Sequence, residues 1–399
     1  MNRARPGAGI FRVVIYAIFF ATGGAALAYQ IVWTRWLELL LGTTTHAATA
    51  VLAAFMGGLA LGGVLFGHLA DRVVQRLSLY GWLEIGIGVY ALLFPTLLDL
   101  ATRIYLAVAG AAGAVPLVTF SLRFAIALVL VLVPTTLMGG TLPILVRQFT
   151  ANARIGRGVA WLYFVNSAGA ALGCVLAGFI SVGRFGLLFT SSMAALVSIA
   201  AGLVALALRS HARHDGPSVT SAERQTATLG SPDVYVPAVR RIAIVAVSAG
   251  AAAMAYEIGW FRLLALVLGS SSDAFTLMLT TFIGGLALGS LWATPRVDRL
   301  KDPAATLTTI QLGIGLAGLL TLSVSAVLPD LSLRLRAMAL GSYATYQILQ
   351  LVVCALVMSL PTFLMGVAFP LMARIVALRD AVEHPSGRPG LGTRVGLLV

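Results

Sequence analysis

The chain has 399 residues, 59% of them hydrophobic and only 10% charged, with a mean hydropathy of +0.96, a balance that excludes a soluble globular domain of ordinary composition. Its formal net charge is +13; in a soluble protein that would suggest nucleic acid, whereas in a membrane protein it asks on which side of the bilayer the basic residues lie. Apolar runs recur along nearly the whole length, each long enough to supply the roughly 20 helical residues that a bilayer core needs, and none alternates with the period of a barrel strand.

The first run, Ile10 to Trp33, has a basic flank in Arg3, Arg5 and Arg12, as a signal peptide would. It is too long for a signal peptide, and its "GGAALAYQIVW" is answered in mid-chain by "GAAAMAYEIGW" from Gly250, where no signal could stand. It is read as a retained helix. Further helices are expected near residues 44–69, 80–104, 122–146, 158–181 and 185–208, then 242–261, 271–294, 306–329 and 346–373, ten in all. With the N-terminus inside, 20 of the 27 Lys and Arg residues fall on the inner side and 7 on the outer. That asymmetry orients the chain with a cytoplasmic N-terminus and makes the basic excess a topology signal rather than a nucleic-acid patch. From Arg209 to Arg241 the sequence is polar and without apolar periodicity, as in a cytoplasmic linker. Cys174 and Cys354 lie inside apolar runs and suggest neither a disulfide framework nor a metal site.

Tyr29 to Arg72 aligns with Tyr256 to Arg299 at a constant offset of 227 without a gap, and 20 of the 44 positions are identical. The same offset carries Gly86 and Gly88 onto Gly313 and Gly315, "PTTLMGGTLP" from Pro134 onto "PTFLMGVAFP" from Pro361, and Arg147 onto Arg374. Six helices separate equivalent points, an even number, so the two copies insert with the same orientation. The expected fold is an all-α integral membrane protein of two parallel six-helix repeats, the arrangement of major facilitator-type transporters. Residues 1–208 form the first repeat, 209–241 the linker and 242–399 the second. In the second, "GRGVAWLYFVNSAGAALG" from Gly156 is answered only by "GTRVGLLV" from Gly392, so its last two helices are expected to be missing, as in a ten-helix protein or in a piece of a longer one.

Tyr29 and Trp33 share a helix face, as do Tyr256 and Trp260. An outer aromatic belt with Arg35 and Arg262 snorkelling to the headgroups accounts for them. It does not account for Gln30 and its counterpart Glu257, because a carboxylate in a membrane helix is costly and normally faces a cavity or a partner. A second exchange runs the other way, Glu84 falling on Gln311, so each repeat keeps one carboxylate and one amide. Carboxylates lining a cavity would suit a cation, a polyamine in particular; hydrogen bonding to a neighbouring helix is the alternative for each. Tyr29, Gln30, Trp33, Glu84, Tyr256, Glu257, Trp260 and Gln311 are the candidate binding residues. His46 and Asp273 follow "TTT" and "SSS" at helix starts, where caps and the helix dipole explain an acidic side chain and a histidine could titrate. Gly58 with Gly62, Gly63 with Gly67, and Gly285 with Gly289 form small-residue faces for close helix packing. Asp71, Arg72, Asp298 and Arg299 sit in equivalent loops and are candidate gate residues, with Arg35 and Arg262 as gate or topology residues at the other end.

"GIGLAG" from Gly313 matches a dinucleotide fingerprint but lies inside an apolar helix without the required strand, and His211 with His214 is too few ligands for a metal. No nucleophile and base pair is discernible, so no catalytic residue, metal or cofactor is assigned. As a set, "YQxxWxRxLxLxLG", "FMGGLALGG", "LADR", "PTTLMGGTLPxL" and "LYFVNSAGAALG" resemble the membrane half of bacterial fused major-facilitator and spermidine synthase-like proteins. The resemblance implies a link to polyamines and, in longer members, a following aminopropyltransferase-like domain with a Rossmann-type fold. No catalytic position of such a domain is present here. Three roles stay open: a domain binding or transporting a polyamine or related small cation, a membrane anchor and partner for a soluble aminopropyltransferase-like domain, or an assembly protein.

Overall fold

In the absence of water an apolar segment must satisfy its own backbone hydrogen bonds, which only a helix does within one segment, and each expected run is helical. The computed structural model describes residues 6–41, 45–111, 116–149, 155–212, 239–268, 272–325, 327–338, 342–383, 395–396 and 398. Most of the expected linker and the start of the tail at Gly392 lie outside these residues, as does the side chain of His46. The first repeat comprises α1 (Pro6–Leu41), α2 (Thr45–Arg72), α3 (Arg76–Ala111), α4 (Pro116–Gly139), α5 (Thr141–Phe149), α6 (Ile155–Val175) and α7 (Val182–Ala207), with a π-helical stretch, Leu176–Ser181, between the last two. The second comprises α8 (Val239–Leu268), α9 (Ser272–Ala293), α10 (Pro303–Ser325), α11 (Leu328–Met338) and α12 (Tyr343–Glu383).

Nine continuous helical stretches among the described residues are long and apolar enough to cross a membrane. One of them, Ile155–Ala207, has 53 residues, about 80 Å at 1.5 Å per residue, well over twice a bilayer core. It doubles back at Gly186, whose φ of 83° and ψ of 174° are closed to most side chains. Ser181 Oγ and Thr190 Oγ1, nine positions apart, consequently meet at 2.7 Å. That stretch therefore crosses twice, and the ten expected spans are accounted for. Three details differ from expectation. The first helix runs to Leu41, eight residues past Trp33. The fourth run is interrupted at Gly140, between α4 and α5, where the second repeat has Val367 and α12 continues without a break. The polar α11, carrying Asp330, Arg334 and Arg336, was expected as loop.

The sequence repeat is a repeat of contacts. Helix α2 packs on α4 and α3 on α4, and in the second copy α9 packs on α12 and α10 on α12. A methyl group placed on Gly58 would overlap the Thr135 hydroxyl, and one on Gly285 the Thr362 hydroxyl. Gly62 meets the Thr136 carbonyl as Gly289 meets that of Phe363, and Gly139 meets Leu59 as Gly366 meets Leu286. Every one of these pairs is related by 227 positions.

The two copies are joined mainly by α6 against α9, antiparallel along their whole length. Cys174 donates its S–H to the Thr276 carbonyl at 3.6 Å, Ser290 donates to the Ala160 carbonyl at 2.8 Å, and Gly156 lies against Asp298. The short turn at Val395–Gly396 repeats part of this contact with the copies exchanged. Gly396 rests on the backbone of Gly63 in α2; it answers Ala160 in the alignment of "GTRVGLLV" with "GRGVAWLY", and Gly63 answers Ser290.

Overpacking at such a crossing costs about 1–3 kcal/mol. Gly58→Ala and Gly285→Ala are each expected to lower the melting temperature, whereas Gly57→Ala and Gly284→Ala, where an added methyl meets nothing within 4 Å, leave it unchanged or raise it through the higher helix propensity of alanine. Thermal unfolding of the four variants reads the sign directly.

Candidate functional site

Gln30 on α1 and Glu257 on α8, equivalent positions of the two repeats, line one cavity. It is completed by Thr34, Phe261, Phe275, Met278, Phe282 and four other apolar residues. Gln30 is 3% exposed, and the Thr34 hydroxyl is turned back onto the Gln30 carbonyl at 2.7 Å. Phe261 and Phe275 stand edge to face at 5.5 Å. The site thus offers one carboxylate and one amide within an aromatic wall, and among the described residues no Lys, Arg or His lines it. Such a wall suits an apolar body or a cation over a ring face.

Glu84 is elsewhere. It is 2% exposed on α3 and faces a second cavity inside the first repeat. Tyr29 lines this second cavity and donates a hydrogen bond to Ser198 Oγ at 3.3 Å. Adjacent residues of α1 therefore serve opposite sides: Tyr29 the inner cavity, Gln30 the cavity between the repeats. Gln311, the counterpart of Glu84, borders neither cavity, and its Nε2 is buried without a hydrogen-bond partner.

The aromatic belt does not exist at Tyr29 and Trp33. Both are buried, at 0% and 1% exposure, and Trp260 at 3%. Tyr29 stacks on Trp33 at 5.0 Å and Trp33 on Phe94 at 4.8 Å, and Tyr256 stacks on Trp260 at 5.0 Å. The four-residue spacing that looked like an interfacial anchor is the spacing of a core stack, because the longer α1 carries these rings into the bundle. Arg35 is half-buried rather than extended to headgroups, and lies within electrostatic reach of Asp273 and Glu38. Arg262 is exposed. Gln347 donates to Asp273 Oδ2 at 3.3 Å.

At the other end, the loops after α2 and α9 are clasped by equivalent arginines. Arg147 Nε donates to Asp71 Oδ1 at 3.2 Å. Arg374 donates to the Val297 carbonyl and, at 3.1 Å, to that of Leu300. Asp298 accepts the backbone N–H of Arg157 at 2.9 Å and that of Gly156 as well, and so caps α6 from the opposite repeat. Burial pushes the Asp298 carboxyl up from its ordinary value, against those two hydrogen bonds and the charge of Arg374. Arg72 and Arg299 are exposed, so the partners of the two aspartates are on other helices rather than next in sequence. The signals for Arg147 and Arg374 were their equivalent positions; nothing local in the sequence pointed to the α6 terminus.

No family model and no curated protein matches the sequence. Among solved structures the chain is similar to an auto-inhibited peptide transporter of the POT family, at 14% identity and a TM-score of 0.45, over 96% of this chain and 86% of that one. It is also similar to FucP, a Major Facilitator Superfamily transporter in the outward conformation (12%, 0.48, 97% and 95%). A third is the proton:xylose symporter XylE bound to 6-bromo-6-deoxy-D-glucose (12%, 0.41, 98% and 94%). None reaches a TM-score of 0.5, and nothing about substrate or mechanism passes from them to this chain. The duplicated contacts and the apolar spans define the class: an all-α, multi-pass membrane protein built from two copies of one helical unit.

Removing a cap of this kind costs about 1 kcal/mol. Asp298→Ala is expected to lose that much stability in reversible unfolding, while Asp298→Asn, whose side-chain oxygen still accepts from Arg157, stays close to the parent.

Proposed function

We propose that this protein binds, and carries across the bacterial inner membrane, a polyamine or a related small organic cation, with Glu257 as its counter-charge and Gln30 as a polar contact in the cavity between the repeats. The observation that carries the reading is that two equivalent positions, one from each repeat, line a single cavity containing a carboxylate and no basic group. In major facilitator-type proteins the substrate site lies between the two halves near the bilayer midplane. The three phenylalanines supply contact area for the methylene segments of a polyamine and ring faces for its ammonium groups. The resemblance to the membrane half of spermidine synthase-like fusions supports the choice of polyamine among organic cations.

In this reading residues 1–208 and 242–399 are the two walls, joined by the linker 209–241. The N-terminus and the Asp71 and Asp298 loops face the cytoplasm, since 20 of the 27 basic residues fall on that side. Asp298 on α6 and Asp71 on Arg147 then hold the inner end, and Arg35 with Asp273 face each other at the outer end. Tyr29, Trp33, Tyr256 and Trp260 shape the helices behind the cavity rather than touching the ligand.

The test is spermidine binding by the purified full chain, read as ligand-dependent thermal stabilisation over a concentration series. A charge-assisted contact is worth about 1.5–3 kcal/mol, so Glu257→Gln is expected to weaken apparent affinity about tenfold or more. Gln30→Glu, which restores a carboxylate from the other repeat, should recover part of it in the double variant. Absence of any spermidine-dependent shift in the parent protein would remove the reading and favour an anchoring role.

A further inference from the structure

The second cavity contains chemistry that the first does not use. The hydroxyls of Thr22, Tyr80 and Ser198 surround the Glu84 carboxyl group. Thr22 Oγ1 lies 3.2 Å from the Tyr80 hydroxyl, and Tyr29 donates to Ser198. Asn166 and Thr141 complete the polar lining. Each of these donors or acceptors, the Asn166 amide nitrogen apart, is an oxygen, and no Lys, Arg or His lines the cavity. The two cavities share no lining residue.

A carboxylate buried in a membrane protein is normally balanced by a basic partner. Glu84 has hydroxyl neighbours in place of one. The equivalent position on α10 holds Gln311, in different surroundings: a methyl added at Gly88 meets Ile199 and Ala195 of α7, whereas one at its counterpart Gly315 meets nothing within 4 Å. The acid is thus in the copy in which α6 and α7 wall the cavity. Among the described residues no group of three or more acidic, His or Cys side chains could hold a metal ion, which disfavours a divalent ion. One carboxylate in a shell of oxygens matches one hard positive charge.

We propose that the Glu84 cavity is a site for one small inorganic cation, a proton or a sodium ion, separate from the organic-cation cavity beside Glu257. The proposal rests on the reading above for the role of that other cavity, but not for Glu84 itself. Bound there, the cation neutralises Glu84 within the first repeat alone, so its occupancy bears on the packing of α1, α3 and α7 rather than on the ligand directly. The titratable groups facing Glu84 are Tyr29 from α1 and Tyr80 from its own helix. Helix α2 presents Phe55 and Leu59, and α4, α5, α6 and α7 present Met138, Thr141, Asn166 and Ser198.

Infrared difference spectroscopy on the purified full chain, without polyamine, tests this in two arms. In one, buffer is exchanged between acid and alkaline pH at constant potassium; in the other, potassium is replaced by sodium at constant pH. The expected result is a carboxyl band that responds in at least one arm, is lost in Glu84→Gln and persists in Glu257→Gln. A response to pH alone assigns a proton, and a response to sodium assigns that ion. An identical response in the parent and in folded Glu84→Gln overturns the proposal. Should Glu84→Gln fail to fold, Ser198→Ala, which keeps the carboxylate and removes one neighbouring hydroxyl, is expected to shift the midpoint of the response, and an unmoved midpoint overturns it equally. Spermidine binding on the same samples separates the two claims: its absence beside an intact Glu84 response sinks the Glu257 reading alone.

Discussion

Two helices approach closely in lipid only where one of them presents no side chain, and the rest of this molecule is arranged around that constraint. At Gly58 and Gly62 the backbone of α2 is bare, so α4 sits against it with the Thr135 hydroxyl occupying the space of a missing Cβ. That crossing fixes α2 and α4 as a unit, and α3 then packs on α4. The second copy does the same with Gly285, Gly289 and Thr362. Hydrophobicity cannot supply this specificity, because lipid tails are as apolar as the helices. Complementary shape at the glycines does.

Duplication makes the two walls alike, and function depends on where they are not. Two of the polar exchanges involve a residue that lines a cavity: Gln30 against Glu257 and Glu84 against Gln311. Each exchange changes a charge in a setting where a charge is expensive; the contact with α4 or α12 is kept, as the matched Leu137 and Leu364 contacts show, while the α7 contact of Gly88 has no match at Gly315. The two carboxylates consequently sit in different surroundings. Glu257 faces an aromatic cavity shared by both copies, and Glu84 faces hydroxyls supplied by one copy only.

Much of the fold could be read from the chain because its largest signals are one-dimensional: apolar runs, the 227-residue offset, and glycines at helical spacing. The turn at Gly186 was legible for the same reason, as a gap between two runs. The site was legible only in part. Gln30 and Glu257 stood out because an unequal pair in an otherwise conserved register is visible in sequence, whereas Phe275, Phe282, Thr22 and Ser198 are common residues whose role arises from which face of a helix the bundle covers. Tyr29 and Trp33 show the same limit from the other side. Their spacing fitted a belt and a core stack equally well, and only the length of α1 beyond Trp33 decides between them.

One helix connects the parts. Helix α9 contributes Phe275, Met278, Leu279 and Phe282 to the cavity between the repeats, Ser290 to the contact with α6, and, just past its end, Asp298 to the α6 terminus. The helix ends at Ala293, and a turn joins it to the 3-10 helix Val297–Arg299 that carries Asp298. The partner surface is uneven: α6 gives way to a π-helical stretch where Gly178 meets Thr276.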